Sequence, residues 1–253
     1  NTPAASSPLN LTPQNCLRRG VIVDDLLQPL MAEGGECAVA LVSGGIDSPV
    51  AIARLLAQGW EIIPLHASLE PLTSDEAELK TLAAMRHLSG AASPLSGGGN
   101  GLGEELYVIP VGEVLSRFTL AAMHRDYFVH MKRLFNRLAS MLAKQVGASH
   151  IITGENIGQV SSQTLGNLGA VAVAADFPIM RPLLALDKLD IMHMAKALGT
   201  YEISTGPEQC DVIGPKHPTT VADLDRLLEN EAAVGGIEEL AKGCFENLRK
   251  VRL

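Results

Sequence analysis

The sequence predicts an α/β protein with a doubly wound parallel sheet of about five strands and helices on both faces. Short aliphatic runs bounded by turn residues alternate along the chain with longer stretches of helical periodicity. Hydrophobic residues make up 47% of the 253 residues, whereas aromatic residues make up only 4%. The core must therefore be aliphatic, which suits strands that are covered by helices on both faces.

Aliphatic runs predict strands at residues 37–42, 61–66, 106–111, 149–153 and 178–181. The stretches that follow these strands predict helices at residues 49–58, 75–88, 113–123, 127–146, 161–175 and 187–198. Ser74 is placed to cap the second of these helices. Because the alternation implies right-handed crossovers and a parallel sheet, ligands are expected at the carboxyl ends of the strands.

The remaining segments flank or interrupt this pattern. Residues 1–20 are rich in Pro, Ser and Asn and predict a flexible N-terminal arm, which a helix at residues 23–31 follows. Residues 89–103 resemble a phosphate loop in composition, but no strand leads into them, and we interpret them as a flexible surface excursion. Residues 219–253 predict a C-terminal tail of two helices, which leaves residues 21–218 as the main domain.

Charge and cysteine content narrow the functional classes. A formal net charge of −8 argues against a surface that traps nucleic acid everywhere, although a local basic groove remains open. The four cysteines are scattered along the chain without a CxxC pair, which disfavours a zinc ribbon. Distant cysteines could still meet around a metal ion or an iron–sulfur cluster, and the candidates are Cys16, Cys37, Cys210 and Cys244. Since every apolar stretch is interrupted before about 18 residues, we expect no membrane span and a cytoplasmic location.

A phosphate loop is predicted where the first strand ends, in the run Ser43-Gly44-Gly45-Ile46-Asp47-Ser48. Its glycines let the backbone turn tightly and bring N–H groups close to an anion, and the following helix adds the positive end of its dipole. Pro49 fits the first helical turn, where its missing N–H costs little. The alternative is an ordinary turn capped by Asp47 or Ser48, but the order of strand, loop and helix favours an anion site.

This loop matches neither GxxxxGK[ST] nor GxGxxG, and its SGGxDS pattern is similar to that of the pyrophosphate-loop ATPases. Three further blocks occur later in the chain, at residues 151–165 (IITGENIGQVSSQTL), 179–188 (IMRPLLALDK) and 199–210 (GTYEISTGPEQC). Over roughly residues 36 to 218, the four motifs closely resemble the tRNA uridine 4-sulfurtransferases, also called 4-thiouridine synthetases or thiamine-biosynthesis sulfurtransferases.

The resemblance implies an adenine nucleotide α-hydrolase-like fold and an activity that depends on ATP and Mg²⁺. In that family, ATP adenylates the O4 of a uridine in tRNA, and a persulfide sulfur then displaces AMP to leave 4-thiouridine. The implied partners are tRNA and a persulfide donor such as a cysteine desulfurase or a rhodanese-like protein. A homodimer is also implied.

The family motifs assign roles to individual residues of this chain. They assign ATP contacts to the loop and to Leu41, Val42, Lys132, Gly154 and Gln163. Asp47 matches an essential loop aspartate, which we expect to bind or orient Mg²⁺. Lys188 matches an essential lysine, a cation suited to the negative charge that develops on pyrophosphate. Cys210 matches a resolving cysteine, which attacks a disulfide or persulfide to release sulfur.

Several of these residues have a plainer interpretation from their surroundings alone. Lys188 could be a solvated residue in the first turn of a helix, and Cys210 a buried thiol. His66, at the end of the second strand, could approach the adenine or belong to the core. The cations in residues 132–137 could contact phosphates of ATP or RNA, or form a solvated helix face.

Family members carry an RNA-binding region, a ferredoxin-like piece plus a THUMP domain, before the loop, and some carry a rhodanese-like domain after it. Only about 35 residues precede the first strand here, so we expect RNA capture and sulfur delivery to need a separate part or subunit. Three hypotheses follow. They are an ATP-dependent tRNA sulfurtransferase, an adenylating enzyme for a small molecule or a sulfur-carrier protein, and a non-catalytic ATP-binding module.

Overall fold

A computed structural model describes residues 36–90, 93, 95, 101–157, 163–206 and 213–253 of the chain. The predicted arm at residues 1–20, the predicted helix at residues 23–31, and the residues Cys16 and Cys210 lie outside this part. In the part that is described, no helix is both long enough and apolar enough to cross a membrane.

In the described ranges, six strands form one sheet in the spatial order β5-β4-β1-β2-β3-β6. They are β1 (Cys37–Leu41), β2 (Glu61–Ser68), β3 (Glu105–Pro110), β4 (His150–Ile152), β5 (Ile179–Met180) and β6 (Arg249–Arg252). The first five strands pair in parallel, whereas β6 pairs antiparallel with β3. The predicted α/β class with a doubly wound sheet is confirmed, and the sheet has an additional antiparallel strand.

Helices follow the strands in nearly the predicted order. Those of the described residues are α1 (Asp47–Leu56), α2 (Glu76–Ser89), α3 (Gly112–Ser116), α4 (Tyr127–Val146), α5 (Leu165–Ala172), α6 (Lys188–Leu198), α7 (Tyr201–Ser204), α8 (Leu224–Ala233) and α9 (Ile237–Phe245). Asp75 occupies the cap position of α2, which has no side-chain cap hydrogen bond, so the predicted capping role of Ser74 is wrong. The bounds of α4 are those that the sequence predicted.

Both faces of the sheet are covered, as the alternating side chains of β1 demonstrate. Ala38 belongs to a buried cluster with side chains from α1, α2 and α6, such as Ile52. Its neighbour Val39 belongs to a second cluster with side chains from α4 and α9, such as Leu138. Helices on both faces leave the carboxyl edge of the sheet as the place where a ligand can approach the strands.

The predicted helix at residues 113–123 is interrupted. α3 ends at Ser116, and a 3₁₀ turn at Arg117–Thr119 follows it. The hydroxyl of Ser116 donates to the carbonyl of Glu113 at 2.6 Å, and the hydroxyl of Thr119 donates to the carbonyl of Ser116 at 2.7 Å. Such local side-chain bonds compete with the helical hydrogen bonds of the backbone, which explains why the helix does not continue.

β6 is the part of the C-terminal tail that the sequence did not predict. The two predicted helices are present as α8 and α9, but the tail returns to the sheet and pairs with β3. Its sequence, RKVR, lacks the hydrophobic run by which the other strands were predicted. Lys250 instead forms an ion pair with Glu105 of β3 at 2.7 Å, and charged side chains of this kind suit an exposed edge strand.

A buried ion pair joins α4 to α8. Arg133 donates through Nε and Nη2 to the two carboxylate oxygens of Glu231, at 2.6 and 3.0 Å, and through Nη1 to the carbonyl of Ala170 at 2.6 Å. His130 Nδ1 lies 3.3 Å from the same carboxylate. The side chains of Arg133 and Glu231 are only 2% and 3% exposed, so this pair belongs to the protein interior.

Candidate functional site

A cleft of about 350 Å³ lies at the carboxyl ends of β1, β2 and β4. The chain runs from β1 to β2 on one side and later returns to place β4 on the other, so the cleft lies where the strand order reverses. Every described residue to which the family motifs assign a role lines this cleft. These residues are Leu41, Val42, Ser43, Gly44, Gly45, Asp47, Ser48, Lys132, Gly154, Gln163 and Lys188.

The predicted phosphate loop connects β1 to α1 and forms one wall of the cleft. Gly44 has a φ of +78°, and a side-chain carbon added there would lie 2.6 Å from the carbonyl oxygen of Ala77, so only glycine fits. The N–H of Ser43 donates to Ser48 Oγ at 3.3 Å, which closes the loop. Because no described side chain caps α1, which begins at Asp47, the N–H groups of its first turn can donate to a bound anion.

Gly154, just after β4, brings a second strand end against this loop. A Cβ atom at this position would lie 2.9 Å from the backbone nitrogen of Ser48 and 3.1 Å from its Cα. These atoms belong to the backbone and cannot rotate away, so a side chain here would displace the start of α1. The close approach explains how two motifs that lie far apart in the sequence form one site.

Asp47 and Lys188 form an ion pair in the cleft, with Lys188 Nζ donating to Asp47 Oδ1 at 2.6 Å. Lys188 is the first residue of α6, and its side chain is 43% exposed, compared with 24% for Asp47. A cation in the first turn opposes the helix dipole, so the dipole does not explain its place. The pair puts one positive and one negative side chain beside the loop that would hold an anion.

Glu155 is a cleft residue that the sequence analysis missed. Its carboxylate accepts hydrogen bonds from Lys132 Nζ at 2.9 Å, Arg181 Nε at 2.8 Å and Thr153 Oγ1 at 3.1 Å. Burial raises the pKa of Glu155, but the charges and hydrogen bonds of Lys132 and Arg181 outweigh burial and hold this pKa below its usual value. The available signal was that Glu155 follows one predicted strand and Arg181 ends another, which places both at the ligand edge of the sheet.

Lowering the pH should destabilise the fold through Glu155 and Glu231. Burial also raises the pKa of Glu231, but hydrogen bonds from His130 and Arg133 outweigh burial, so both carboxyl groups have a lowered pKa when folded. The two carboxylates therefore stabilise the fold fully above the unfolded pKa of about 4.3, and this stabilisation is lost as the pH falls through the lower pKa values of the folded state. Urea unfolding between roughly pH 6 and pH 3 checks this. A Glu231→Gln variant should lose less stability over that range, and an equal loss would contradict the assignment.

Two amide side chains fix the loop that follows β4. Gln163 Oε1 accepts the backbone N–H of Asn156 at 2.8 Å, and Asn156 Nδ2 donates to the carbonyl of Leu186 at 2.6 Å. Asn156 is only 2% exposed, so its hydrogen bonds are shielded from water. Gln163 therefore holds the loop in place, in addition to lining the cleft.

His66 lines the cleft but is only 3% exposed. Its Nδ1 lies 2.8 Å from the carbonyl of Val42 and 3.3 Å from Thr81 Oγ1. Burial lowers the pKa of His66, which favours the neutral ring at neutral pH. A neutral ring that donates from Nδ1 joins the ends of β1 and β2, so the interpretation as a buried, supporting histidine fits the geometry.

The cations at residues 132–137 separate in the structure. Lys132 lines the cleft, where Glu155 holds it. Arg133 is buried with Glu231, and Arg137 forms an ion pair with Asp176 at 2.7 Å and another with Glu238. Neither Arg133 nor Arg137 lines the cleft: Arg133 is buried, whereas Arg137 is partly exposed and pairs with exposed carboxylates at the surface of α4.

The two described cysteines are poor candidates for sulfur chemistry. Cys37 is half-buried in β1, where burial raises the pKa of its thiol, and Cys244 is buried, which raises its pKa to about 11. A thiol with a raised pKa supplies little of the reactive thiolate. Within the described ranges, no group of three His, Cys, Asp or Glu side chains could hold a metal ion.

Comparisons with known proteins identify a family and several similar chains. A family model described as thiamine biosynthesis protein (ThiI) matches residues 34–235. The chain is 38% identical over 210 residues to a probable tRNA sulfurtransferase of Thermus thermophilus, covering 82% of this chain and 50% of the relative. It is 36% identical over 210 residues to one of Moorella thermoacetica, covering 82% and 51%, respectively.

A crystal structure of a 4-thiouridine synthetase in complex with RNA and ATP is similar, with a TM-score of 0.76 and 33% sequence identity. The match covers 85% of this chain and 55% of that chain. The chain spans about half the length of the curated relatives that it matches. Because the family model covers most of the chain, the chain belongs to the thiamine biosynthesis protein (ThiI) family.

Proposed function

We propose that the chain binds ATP in this cleft and adenylates a uridine of tRNA, which prepares the uridine for sulfur transfer. One observation supports the proposal most strongly. The uncapped start of α1, the loop at residues 43–48 and the Asp47–Lys188 pair lie together at the switch point of the sheet. This arrangement supplies N–H donors, a cation and a carboxylate beside one another, as the phosphates of ATP and a divalent ion require.

In this proposal, the loop and the first turn of α1 bind the pyrophosphate part of ATP. Lys188 stabilises the negative charge that develops when pyrophosphate leaves. Mg²⁺ is commonly bound by one or two carboxylates together with phosphate oxygens, and Asp47 fits this pattern because it belongs to the loop that would hold the phosphates. When bound, the ion would neutralise part of the phosphate charge. Glu155 fixes Lys132 at the opposite wall of the cleft.

The reaction would proceed in three steps. The O4 oxygen of the uridine attacks the α-phosphorus, and the bond to the β-phosphate breaks and releases pyrophosphate. The terminal sulfur of a persulfide donor then attacks C4 of the uridine, and AMP leaves. We propose that Cys210 then attacks the remaining sulfur–sulfur bond, which releases 4-thiouridine and leaves a disulfide that an external thiol must reduce.

Exchange of labelled pyrophosphate into ATP tests the adenylation step. Exchange that needs tRNA would support the proposal, and exchange without tRNA would point to a small molecule or a carrier protein instead. Exchange that is absent with and without tRNA would overturn adenylation. The Cys210→Ala variant should retain exchange and lose formation of 4-thiouridine, because the proposed cysteine acts only after AMP has left.

Substitution of Gly154 by alanine should weaken ATP binding by about tenfold or more. The added methyl group would meet the backbone of Ser48 at 2.9 Å and push the loop away from its position. A displacement that weakens one charge-assisted hydrogen bond to phosphate costs about this factor. Calorimetric titration with ATP measures the effect, and Gly169→Ala serves as a control because no described atom outside the neighbouring backbone of its own helix lies within 4 Å of the added carbon. Equal affinities of the Gly154→Ala variant and the wild type would contradict the close contact.

A further inference from the structure

A second cleft, of about 260 Å³, lies beside the first and has no part in the proposed ATP site. The residues that line it include Arg125, Asp126, Thr219, Thr220, Val221 and Arg226. The N–H of Thr219 donates to the carbonyl of Arg125 at 2.9 Å, which fixes this segment against the start of α4. The second cleft is therefore built from three separate parts of the chain: the turn before α4, the loop at residues 219–221, and α8.

The residues that line the second cleft carry two positive charges and one negative charge. Arg226 donates through Nε and Nη2 to both carboxylate oxygens of Asp126, at 3.1 and 3.0 Å, so the carboxylate is neutralised. Arg125 is exposed and forms no ion pair with another described residue. Its guanidinium, together with the hydroxyl groups of Thr219 and Thr220, offers the donors that phosphate oxygens accept.

The two clefts share a wall. Gln163 lines the first cleft, and the next residue, Thr164, donates its hydroxyl to the carbonyl of Thr220 in the second. Along α4, Lys132 lies six residues beyond Asp126, which corresponds to roughly 9 Å at the rise of a helix. The two clefts therefore lie next to each other along the same segments of the chain.

The rim of the second cleft is apolar, which favours a nucleotide over a free anion as the ligand. Val221 is 75% exposed, and Leu165 at the start of α5 is 70% exposed. A Cβ atom on the neighbouring Gly166 would lie 3.7 Å from Val221 Cγ1, so this end of α5 packs beside Val221. The arginine can bind a phosphate, and the exposed apolar side chains beside it can contact the sugar and the base that the phosphate carries.

We propose that the second cleft binds a backbone phosphate of the RNA substrate, next to the nucleotide that enters the ATP cleft. This inference deepens the proposed function and depends on it for the choice of RNA as the ligand. Phosphate contacts position a nucleic acid without identifying its bases, so the binding should not depend on RNA sequence.

The test measures the RNA affinity of the wild type and of Arg125→Ala, Arg125→Lys and Lys144→Ala variants by fluorescence anisotropy. Labelled tRNA and an unrelated RNA of equal length are the probes, each at several salt concentrations. Lys144 is an exposed cation in the last turn of α4 and provides the matched control. The Arg125 variants should fold, because the side chain is exposed and the backbone carbonyl that accepts from Thr219 is retained. Thermal melting verifies this.

Arg125→Ala should weaken binding of both RNAs about tenfold and reduce the slope of log affinity against log salt by about 0.7 to 1. Arg125→Lys should retain most of the affinity because it keeps the charge, and Lys144→Ala should match the wild type. The proposal is overturned if Arg125→Ala matches the wild type or if Lys144→Ala loses as much. It is also overturned if the wild type binds neither RNA, or if Arg125→Ala weakens the binding of only one of the two RNAs.

The pyrophosphate exchange assay separates this inference from the proposed function. If exchange is absent while Arg125→Ala weakens RNA binding, adenylation is overturned and the RNA contact stands. If exchange depends on tRNA while Arg125→Ala has no effect on RNA affinity, the proposed function stands and the assignment of the second cleft is overturned.

Discussion

Replacement of Asp47 by asparagine is expected to lower the rate of AMP formation from ATP by about a hundredfold to a thousandfold, the range for losing one preorganised electrostatic group. The carboxylate lies beside the phosphate loop and accepts from Lys188 at 2.6 Å. Asparagine keeps the shape but removes the charge that holds the lysine and that Mg²⁺ would need. AMP and pyrophosphate are measured in a single-turnover reaction with tRNA.

The fold should tolerate this change. The ion pair of Asp47 with Lys188 is partly exposed, and such pairs contribute about 1 kcal/mol or less. Asp225→Asn is a suitable control, because Asp225 is also an acidic residue in the first turn of a helix, α8, but does not line the ATP cleft. Wild-type rates in a folded Asp47→Asn variant would contradict the proposed role of the loop.

Replacement of Arg133 by methionine should lower the free energy of unfolding by about 3–5 kcal/mol. The change leaves the carboxylate of Glu231 without its two hydrogen bonds from the guanidinium, in a place where the side chain is 3% exposed. Stability is lost because the buried carboxylate is removed from water without the ion pair that compensates for its lost hydration. Urea unfolding measures the loss.

Two further variants separate the buried charge from the loss of packing. The double variant Arg133→Met with Glu231→Leu removes both charges and should recover much of the stability, because apolar side chains can replace a buried pair. Arg137→Met is the control, since Arg137 is 20% exposed and pairs with the exposed Asp176 and Glu238, so it should cost about 1 kcal/mol or less. Similar losses for Arg133→Met and Arg137→Met would contradict the account.

Local sequence patterns were sufficient for the five parallel strands and for the phosphate loop. β1 to β5 contain aliphatic runs, because strands buried on both faces need apolar side chains in either direction. The glycines at Gly44 and Gly154 mark the two close backbone approaches that build the cleft. These features depend on short segments of chain, so the sequence displays them directly.

Features that depend on distant partners were not predictable in the same way. Arg133 resembled a surface cation until α8 placed Glu231 against it, 98 residues away. Glu155 lies within a recognised motif, but its role follows from Lys132 and Arg181 on other elements. β6 has the composition of a solvated segment, and its pairing with β3 defines it as a strand.

The central claim, that this cleft directs attack on the α-phosphorus of ATP, is tested most directly by following the label of ATP onto RNA. The chain is mixed with tRNA, Mg²⁺ and ATP labelled at either the α- or the γ-phosphorus, without a sulfur donor. The account predicts that the α-label joins the RNA as AMP while the γ-label is released as pyrophosphate. Release of ADP and inorganic phosphate, or transfer of the γ-label to RNA, would contradict it.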